Sequence, residues 1–224
     1  MRFKIASVDS LIIYFGDEIS EEISAKVKQA YKSIQSLDMD EIIEMIPSYS
    51  SIFITYDIFK YDYDSIKEKL QNSIDLGSME VEDEKIISID VYYGIDVGLD
   101  LEDMSEKTSL SIPEIIEIHS QKVYDVYAIG FLPGFAYLAS VDEKIAMNRL
   151  SSPRKIIPKG SVAIADTQTA VYPQDSPGGW NIIGRTTMEL FDKNLDTLSP
   201  LSVGYKVKFN PISKEQFFKQ GGKI

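Results

Sequence analysis

The sequence of 224 residues contains no cysteine and a single histidine, His119. The lack of cysteine excludes disulfide bonds, thiolate catalysis and thiolate-bound metals, and it is typical of a protein from a reducing cytoplasm. One histidine excludes a zinc site built from several imidazoles. Carboxylates alone would suit magnesium or calcium, but no spacing singles out a pair. We therefore expect a cytoplasmic protein with no metal site of its own.

Several recognisable motifs and segments are also missing. No apolar run approaches the ~18 residues that a membrane-spanning helix needs, so we expect no membrane contact. The sequence has no G-x-x-x-x-G-K-[ST] phosphate loop, no G-x-G-x-x-G dinucleotide fingerprint and no H-E-x-x-H zinc helix. The net charge of −12 argues against a nucleic-acid partner, because phosphates would be repelled.

The charge is distributed unevenly. Residues 1–94 carry a net charge of −10, whereas residues 95–224 carry −2. Five basic residues and no acidic one lie between Lys144 and Ala165. Such a stretch either binds a small anion or is a solvated basic loop. Arg154 is a better candidate for an anion-binding residue than the lysines, because Pro153 stiffens its backbone.

Residues 1–94 read as strand, strand, helix, strand, strand, helix and strand. Ser20 can cap the first helix, Asp62 or Asp64 can cap the second, and Lys85–Tyr93 alternates as the final strand. This order predicts a ferredoxin-like domain with two helices on one antiparallel sheet. No motif within it indicates chemistry, so we interpret it as a structural or docking domain.

Residues 95–224 have a different pattern. After short helices, many short strands are separated by turns rich in glycine and proline, which predicts a closed or partly closed β-barrel. We therefore expect an α+β protein with two domains, 1–94 and 95–224, that meet near residues 93–96.

The candidate site lies in the run from His119 to Thr186. It contains GFLPGFAYL at Gly130–Leu138 and SPGGWNIIGRT at Ser176–Thr186, where glycines next to aromatic residues indicate tight turns that can present backbone N–H groups to an anion. The same turns could simply pack aromatic residues into the core. The candidate pocket residues are Gly130, Phe131, Pro133, Gly134, Phe135, Tyr137, Pro153, Gly160, Ser161, Tyr172, Ser176, Pro177, Gly178, Gly179, Trp180 and Thr186.

Three side chains are candidates for catalysis. His119 closes the apolar face of a helix, where it is either a satisfied core residue or a proton shuttle at the mouth of the barrel. Arg154 and Arg185 are candidates to bind a carboxylate or phosphate.

These motifs together resemble one family. The residues that carry the likeness are His119-Ser120, Tyr124, Val126, Gly130–Leu138, Pro153-Arg154, Gly160–Ala165, Thr169 to Pro173, Ser176–Trp180 and Ile182–Thr186, and upstream Tyr92-Tyr93-Gly94. In this order and spacing they resemble the family of the 5-oxoprolinase B subunit, which includes the kinase inhibitor KipI and proteins labelled allophanate hydrolase subunit 1. The likeness covers nearly all of residues 95–224, whereas residues 1–94 match mainly in architecture.

The resemblance implies a ferredoxin-like domain followed by a cyclophilin-like barrel in a cytoplasmic bacterial protein. It implies a homologous C subunit and a separate A subunit as partners, with which 5-oxoproline is opened to glutamate at the expense of ATP. ATP with Mg²⁺ is expected at the level of the complex, and the chain alone is expected to be inactive. Asp166 stands where the family usually has glycine, and Lys159 where a small residue or arginine is usual; both could alter the edge of the pocket.

A stable lactam needs activation, for which phosphorylation of its carbonyl oxygen is our hypothesis. Arg154 and Arg185 would then hold the developing charge, the glycine turns would supply backbone donors, and His119 would transfer a proton. The alternative is an inhibitor resembling KipI, whose aromatic groove around Phe131, Phe135 and Trp180 binds a proline-containing segment of a histidine kinase. A component that hydrolyses allophanate or another urea-derived amide ranks lowest, because the sequence shows no nucleophilic serine machinery.

Overall fold

The computed structural model describes residues 1–77, 85–194 and 197–224, which form two compact units, Met1–Asp83 and Glu84–Ile224. The helices within these described ranges are all too short or too polar to cross a bilayer.

The first unit consists of one antiparallel sheet and two helices. Its elements are β1 (Arg2–Ser7), β2 (Ser10–Tyr14), α1 (Glu21–Gln35), β3 (Ile42–Ser48), β4 (Ser51–Tyr56) and α2 (Tyr63–Ser73), with the strands in the order β1-β2-β4-β3. Ser20 caps α1 by accepting a hydrogen bond from the backbone of Ile23, and Asp62 caps α2 through a reciprocal pair with Ser65. The apolar faces of both helices are buried with β2 and β4 in one core.

The second unit is built around a seven-stranded sheet. Its elements are β5 (Ile86–Val91), α3 (Leu101–Thr108), α4 (Ile112–Gln121), β6 (Val123–Ile129), β7 (Ala136–Ala139), a 3₁₀ turn (Glu143–Ile145), β8 (Arg154–Ile157), β9 (Ser161–Ala165), β10 (Gln168–Val171), β11 (Ser176–Gly178), β12 (Asn181–Arg185), β13 (Lys206–Pro211) and α5 (Lys214–Lys219). The strand order is β12-β9-β10-β7-β6-β13-β5, and β8 pairs separately with β11.

The two edges of the large sheet meet. Tyr92, directly after β5, and Arg185, at the end of β12, exchange two backbone hydrogen bonds of 2.9 Å. This bridge makes the sheet a nearly closed barrel, so the predicted α+β class with a barrel-like second sheet is confirmed.

The strand β5 is the exception to the predicted arrangement. The sequence pattern placed this strand in the first domain, but β5 runs parallel to β13 in the second unit. Ile89 and Val91 are fully buried there, in the core of the second unit. The alternation of residues identified a strand correctly, but it carries no information on which sheet the strand joins. The second unit therefore begins about ten residues before the predicted boundary at residue 94.

The strand β9 is buried on both faces. Val162 and Ile164 point into the main core of the second unit, whereas Ala163 and Ala165 point to the opposite face. On that face the small alanines leave room for a cluster of large aromatic side chains.

Gly134 provides a test of how closely the backbone packs. It has a φ of +80°, and a Cβ atom there would lie 2.3 Å from the carbonyl oxygen of Leu190. We expect Gly134→Ala to lower the free energy of unfolding of the second unit by roughly 2–5 kcal/mol, because the left-handed backbone and the steric clash both oppose a side chain.

The matched control is Gly221→Ala, since Gly221 has a φ of +86° but no atom within 4 Å of the position that a Cβ would occupy. For Gly221→Ala the free energy of unfolding should fall by only about 1–2 kcal/mol, which is the cost of the left-handed backbone without a steric clash. Urea unfolding followed by the fluorescence of Trp180, the single tryptophan, measures both variants. Equal losses would contradict the importance of the close approach.

Candidate functional site

A pocket of about 290 Å³ opens on the aromatic side of β9. Five aromatic residues, one arginine, two prolines and two glycines line it: Phe131, Phe135, Tyr137, Arg149, Pro153, Tyr172, Pro177, Gly178, Gly179 and Trp180. All except Arg149 belong to the pocket residues predicted from the sequence.

Phe135 is at the centre of the aromatic walls. Its ring contacts those of Phe131, Tyr137, Tyr172 and Trp180 at centroid distances of 5.5, 5.0, 5.2 and 5.7 Å, with interplanar angles between 65° and 88°. Such edge-to-face packing fixes the rings relative to one another. Burial raises the pKa of the Tyr172 phenol to about 12, so this wall stays uncharged at neutral pH.

The turn between β6 and β7 forms the lip of the pocket. Two of its backbone N–H groups are used within the turn itself: Gly130 donates to the carbonyl of Phe135 and Phe135 donates to that of Leu132, each at 3.0 Å. These two donors are therefore not free for an oxyanion. Phe131 has a φ of +71°, rare for a bulky side chain, and its side chain is 61% exposed.

Arg149 is the pocket residue that the sequence did not single out. Its guanidinium carbon lies 5.8 Å from the centroid of the Trp180 ring, and its Nε lies 3.9 Å from a carboxylate oxygen of Asp166. The basic stretch between Lys144 and Ala165 was the only sequence signal for it. That signal could not separate Arg149 from the four other cations of the stretch, because separation requires the position of the pocket.

His119 is fully buried in the core and does not line the pocket. The hydroxyl of Thr169 donates to the carbonyl of Ala163 at 3.0 Å, so it accepts a hydrogen bond from Nε2–H of His119 at 2.9 Å. Nδ1 then accepts from the hydroxyl of Tyr93 at 2.8 Å. The ring also stacks on Phe209 at 4.6 Å. The prediction that His119 faces the barrel mouth is wrong; the alternative, a satisfied core histidine, describes its position.

Arg154 is held in an ion pair. Its two terminal nitrogens donate to the two carboxylate oxygens of Asp100 at 2.7 and 3.0 Å, and Asp100 also accepts from the backbone N–H of Ile182 at 2.6 Å. The side chain of Asp100 is 6% exposed and that of Arg154 27%. This geometry ties the residue before α3 to β8 and β12, and it leaves Arg154 outside the pocket lining.

Arg185 also lies outside the pocket lining. Its Nη1 donates to the carbonyl of Lys223 at 3.0 Å, and burial lowers the pKa of its guanidinium. The other predicted pocket residues that do not line the pocket are Gly130, Pro133, Gly134, Gly160, Ser161, Ser176 and Thr186. Gly160 and Thr186 are joined by a backbone hydrogen bond of 2.9 Å, and Gly160 has a φ of +80° at this contact, so glycine at this position serves the fold.

Within the described ranges, no three histidine, aspartate or glutamate side chains come together as metal ligands. The absence of a metal site from this chain stays a prediction.

The second unit is thus a nearly closed β-barrel with an aromatic pocket, and its class follows from comparison with known proteins. The family model for the carboxyltransferase domain, subdomain C and D, matches residues 1–201. The 5-oxoprolinase B subunit of Bacillus subtilis (strain 168) is 35% identical over 97% of this chain and 96% of its own length. The B subunit of Haemophilus influenzae is 36% identical over 75% of this chain and 79% of its own length. The chain therefore belongs to the family of the 5-oxoprolinase B subunit, and the resemblance seen in its motifs is confirmed.

Solved structures support the same fold. The protein TTHA0988 superposes with a TM-score of 0.82 at 27% identity over 91% of this chain, which spans only 40% of that longer chain. The conserved uncharacterized protein PH0987 from Pyrococcus horikoshii is 42% identical, with a TM-score of 0.59 over 96% of this chain and all of that one. The urea amidolyase of K. lactis, at 15% identity and a TM-score of 0.73 over 97% of this chain and 15% of its own, shares the fold.

The buried His119 predicts a pH dependence of stability. Burial lowers the pKa of its imidazole from 6.5 to about 3, whereas the unfolded chain takes up the proton at its ordinary pKa. Because the unfolded state binds more protons in this interval, the free energy of unfolding falls with falling pH below about 6.5, by up to about 1.4 kcal/mol per unit. This contribution is complete above about pH 6.5.

The measurement compares wild type with His119→Gln, which keeps a donor and an acceptor but does not titrate. Unfolding free energies between about pH 4 and 6 should fall less steeply for the variant, by up to one proton. The carboxylates titrate in both proteins and cancel in the difference. Parallel curves would contradict a neutral, buried imidazole.

The Asp100–Arg154 pair predicts strongly non-additive mutations. We expect Asp100→Ala and Arg154→Ala each to lower the free energy of unfolding by roughly 3 kcal/mol, because each leaves the opposite charge without its partner. The double variant should lose little more than either single one. Denaturant unfolding of the wild type, the two single variants and the double variant measures these free energies. The control is Lys159→Ala in the exposed pair with Glu189, where we expect about 0.5 kcal/mol or less. Additive losses would contradict the pairing.

Proposed function

We propose that this chain is the B subunit of an ATP-dependent 5-oxoprolinase, which opens 5-oxo-L-proline to L-glutamate together with the A and C subunits of the same complex. The observation that carries the proposal is the 35% identity to the Bacillus subtilis B subunit over 97% of one chain and 96% of the other. A match of this extent runs through both units of the chain, whereas a shared barrel alone would match only the second. The proposed location is the cytoplasm.

The pocket supports a role in binding rather than in the whole reaction. As far as the described residues go, its lining holds one cation and two tyrosine hydroxyls, and it includes no carboxylate, serine or lysine. This set of donors does not suit a triphosphate with Mg²⁺, which needs several cations or backbone donors and oxygen ligands for the metal. We therefore assign ATP to a partner subunit, and we derive no step on it from this chain.

What this chain supplies, in this proposal, is an aromatic cavity next to the reacting amide. Aromatic walls exclude water from a bound ring, and the rigid edge-to-face packing holds the ring in one orientation. The chain has no activity alone, because the pocket lacks a group that activates the lactam or attacks it.

The kinase-inhibitor hypothesis keeps one supporting observation. The apolar pocket with the exposed Phe131 at its lip also suits a proline-containing segment. The curated relatives are named as enzyme subunits, which favours the enzyme, and the inhibitor stays the alternative. The allophanate hypothesis ranks below both, because the part of the chain that the structure describes places no serine nucleophile in the pocket lining.

The test is reconstitution. The chain is mixed with candidate A and C subunits, and glutamate formed from 5-oxo-L-proline is measured with and without ATP. We expect activity only when all three chains and ATP are present, because no pocket group of this chain can drive the reaction.

Single omissions of each chain are the controls. If the three chains assemble and omission of this one leaves the rate of glutamate formation unchanged, the enzyme proposal fails. Inhibition of a histidine kinase by the chain would then support the alternative.

A further inference from the structure

Arg149 differs in charge from the rest of the pocket lining. Among the described residues that line the pocket it is the single charged one, and its neighbours are aromatic, proline and glycine residues. Resting on the function proposed above, we infer that the guanidinium of Arg149 binds the carboxylate of 5-oxo-L-proline while the lactam ring lies against the aromatic walls. A planar guanidinium matches a carboxylate with two parallel hydrogen bonds.

The size of the pocket fits a small ligand. Its volume of about 290 Å³ lies at the lower end of the range for small-molecule sites. One five-membered ring with one carboxylate fills such a space better than a nucleotide does. The Trp180 and Phe135 rings, at 88° to each other, form two sides of a corner in which a flat ring can pack.

The backbone around Arg149 is fixed in place. The carbonyl of Met147 accepts a hydrogen bond from the N–H of Asp166 at 2.6 Å, and the N–H of Leu150 donates to the carbonyl of Gly179 at 2.7 Å. The carbonyl of Asn148 accepts from the side chain of Asn181 at 3.0 Å. Three hydrogen bonds thus hold the segment against the pocket wall, and this preorganisation lowers the entropy cost of binding.

The guanidinium itself is accessible to a ligand. Its distance of 3.9 Å to Asp166 exceeds that of a hydrogen bond, and both side chains are 59% exposed. Arg154, by contrast, is 27% exposed and makes two short hydrogen bonds with Asp100. Arg149 can therefore exchange the carboxylate of Asp166 for that of a ligand at little cost in free energy, whereas Arg154 cannot exchange that of Asp100.

Asp166 is the competitor for Arg149. Ala165 pairs with Gln168 across β9 and β10, so Asp166 is the first residue of a two-residue turn, and its φ is +52°. This is the position at which such turns prefer glycine. An aspartate there costs backbone strain and places a carboxylate beside Arg149. It therefore weakens the binding of a ligand carboxylate, and Asp166→Gly should tighten it by roughly two- to fivefold.

The test is a titration of the full-length chain with 5-oxo-L-proline and with its amide, which lacks the carboxylate charge. Trp180 is the single tryptophan and lines the pocket, so its fluorescence reports binding there. Wild type should prefer the acid to the amide by roughly ten- to a hundredfold. Arg149→Ala should abolish this preference and leave the affinity for the amide unchanged, and Arg149→Lys should restore part of it.

Lys155→Ala is the matched control, because Lys155 is an exposed cation of the same basic stretch outside the pocket lining. It should keep the preference for the acid. The same variants are then placed in the reconstituted complex, where Arg149→Ala should raise KM for 5-oxo-L-proline by about tenfold or more with little change in kcat.

The two proposals can fail separately. If the complex is active and Arg149→Ala changes neither the acid preference nor KM, the role of Arg149 is overturned and the enzyme proposal stands. If the acid preference depends on Arg149 and no combination of the three chains forms glutamate, the site is supported and the enzyme proposal fails. If neither ligand perturbs Trp180 and KM is unchanged in the variant, the site assignment is overturned.

Discussion

The burial of β9 on both faces is the constraint on which the second unit depends. Successive side chains of a strand point to opposite faces, and in Ser161–Ala165 the two faces carry side chains of different sizes. Val162 and Ile164 fill the main core, whereas Ala163 and Ala165 are small enough for Phe135, Tyr172 and Trp180 to pack over them. The aromatic side chains have room here because β9 carries only small side chains on this face.

The polar groups of the second unit fall into two kinds. His119 and Asp100 are buried, Arg154 is partly buried, and all three are bonded to specific partners, so their hydrogen bonds orient helices and strands around β9. Arg149 is half-exposed at the pocket edge and only loosely paired with Asp166. Groups that are satisfied inside a protein stabilise its fold, whereas a charge without a close partner is available to a ligand. For this reason we propose a binding role for Arg149 and not for Arg154 or Arg185, which the sequence motifs indicated.

Much of the pocket could be predicted from the sequence, because glycine and proline next to aromatic residues mark tight turns wherever they occur. Phe131, Phe135, Tyr172 and Trp180 were found in this way. The position of His119 could not be predicted from the sequence, since a histidine on the apolar face of a helix gives the same sequence pattern whether it lies in a core or at a cleft. The strand that pairs with β5 could not be predicted either, because its parallel neighbour β13 lies more than a hundred residues further along the chain.

The sequence by itself determined most of the elements, the α+β class, the family and most of the pocket walls, since these depend on local patterns and on motifs that keep their spacing. It missed the short strands β7 and β11 and the helix α5. Only the tertiary structure decided which sheet β5 joins, which arginine faces the pocket and which is locked to Asp100. These outcomes depend on contacts between residues far apart in the chain. The distance of a guanidinium from a carboxylate is fixed by the packing of strands, and no local pattern encodes it.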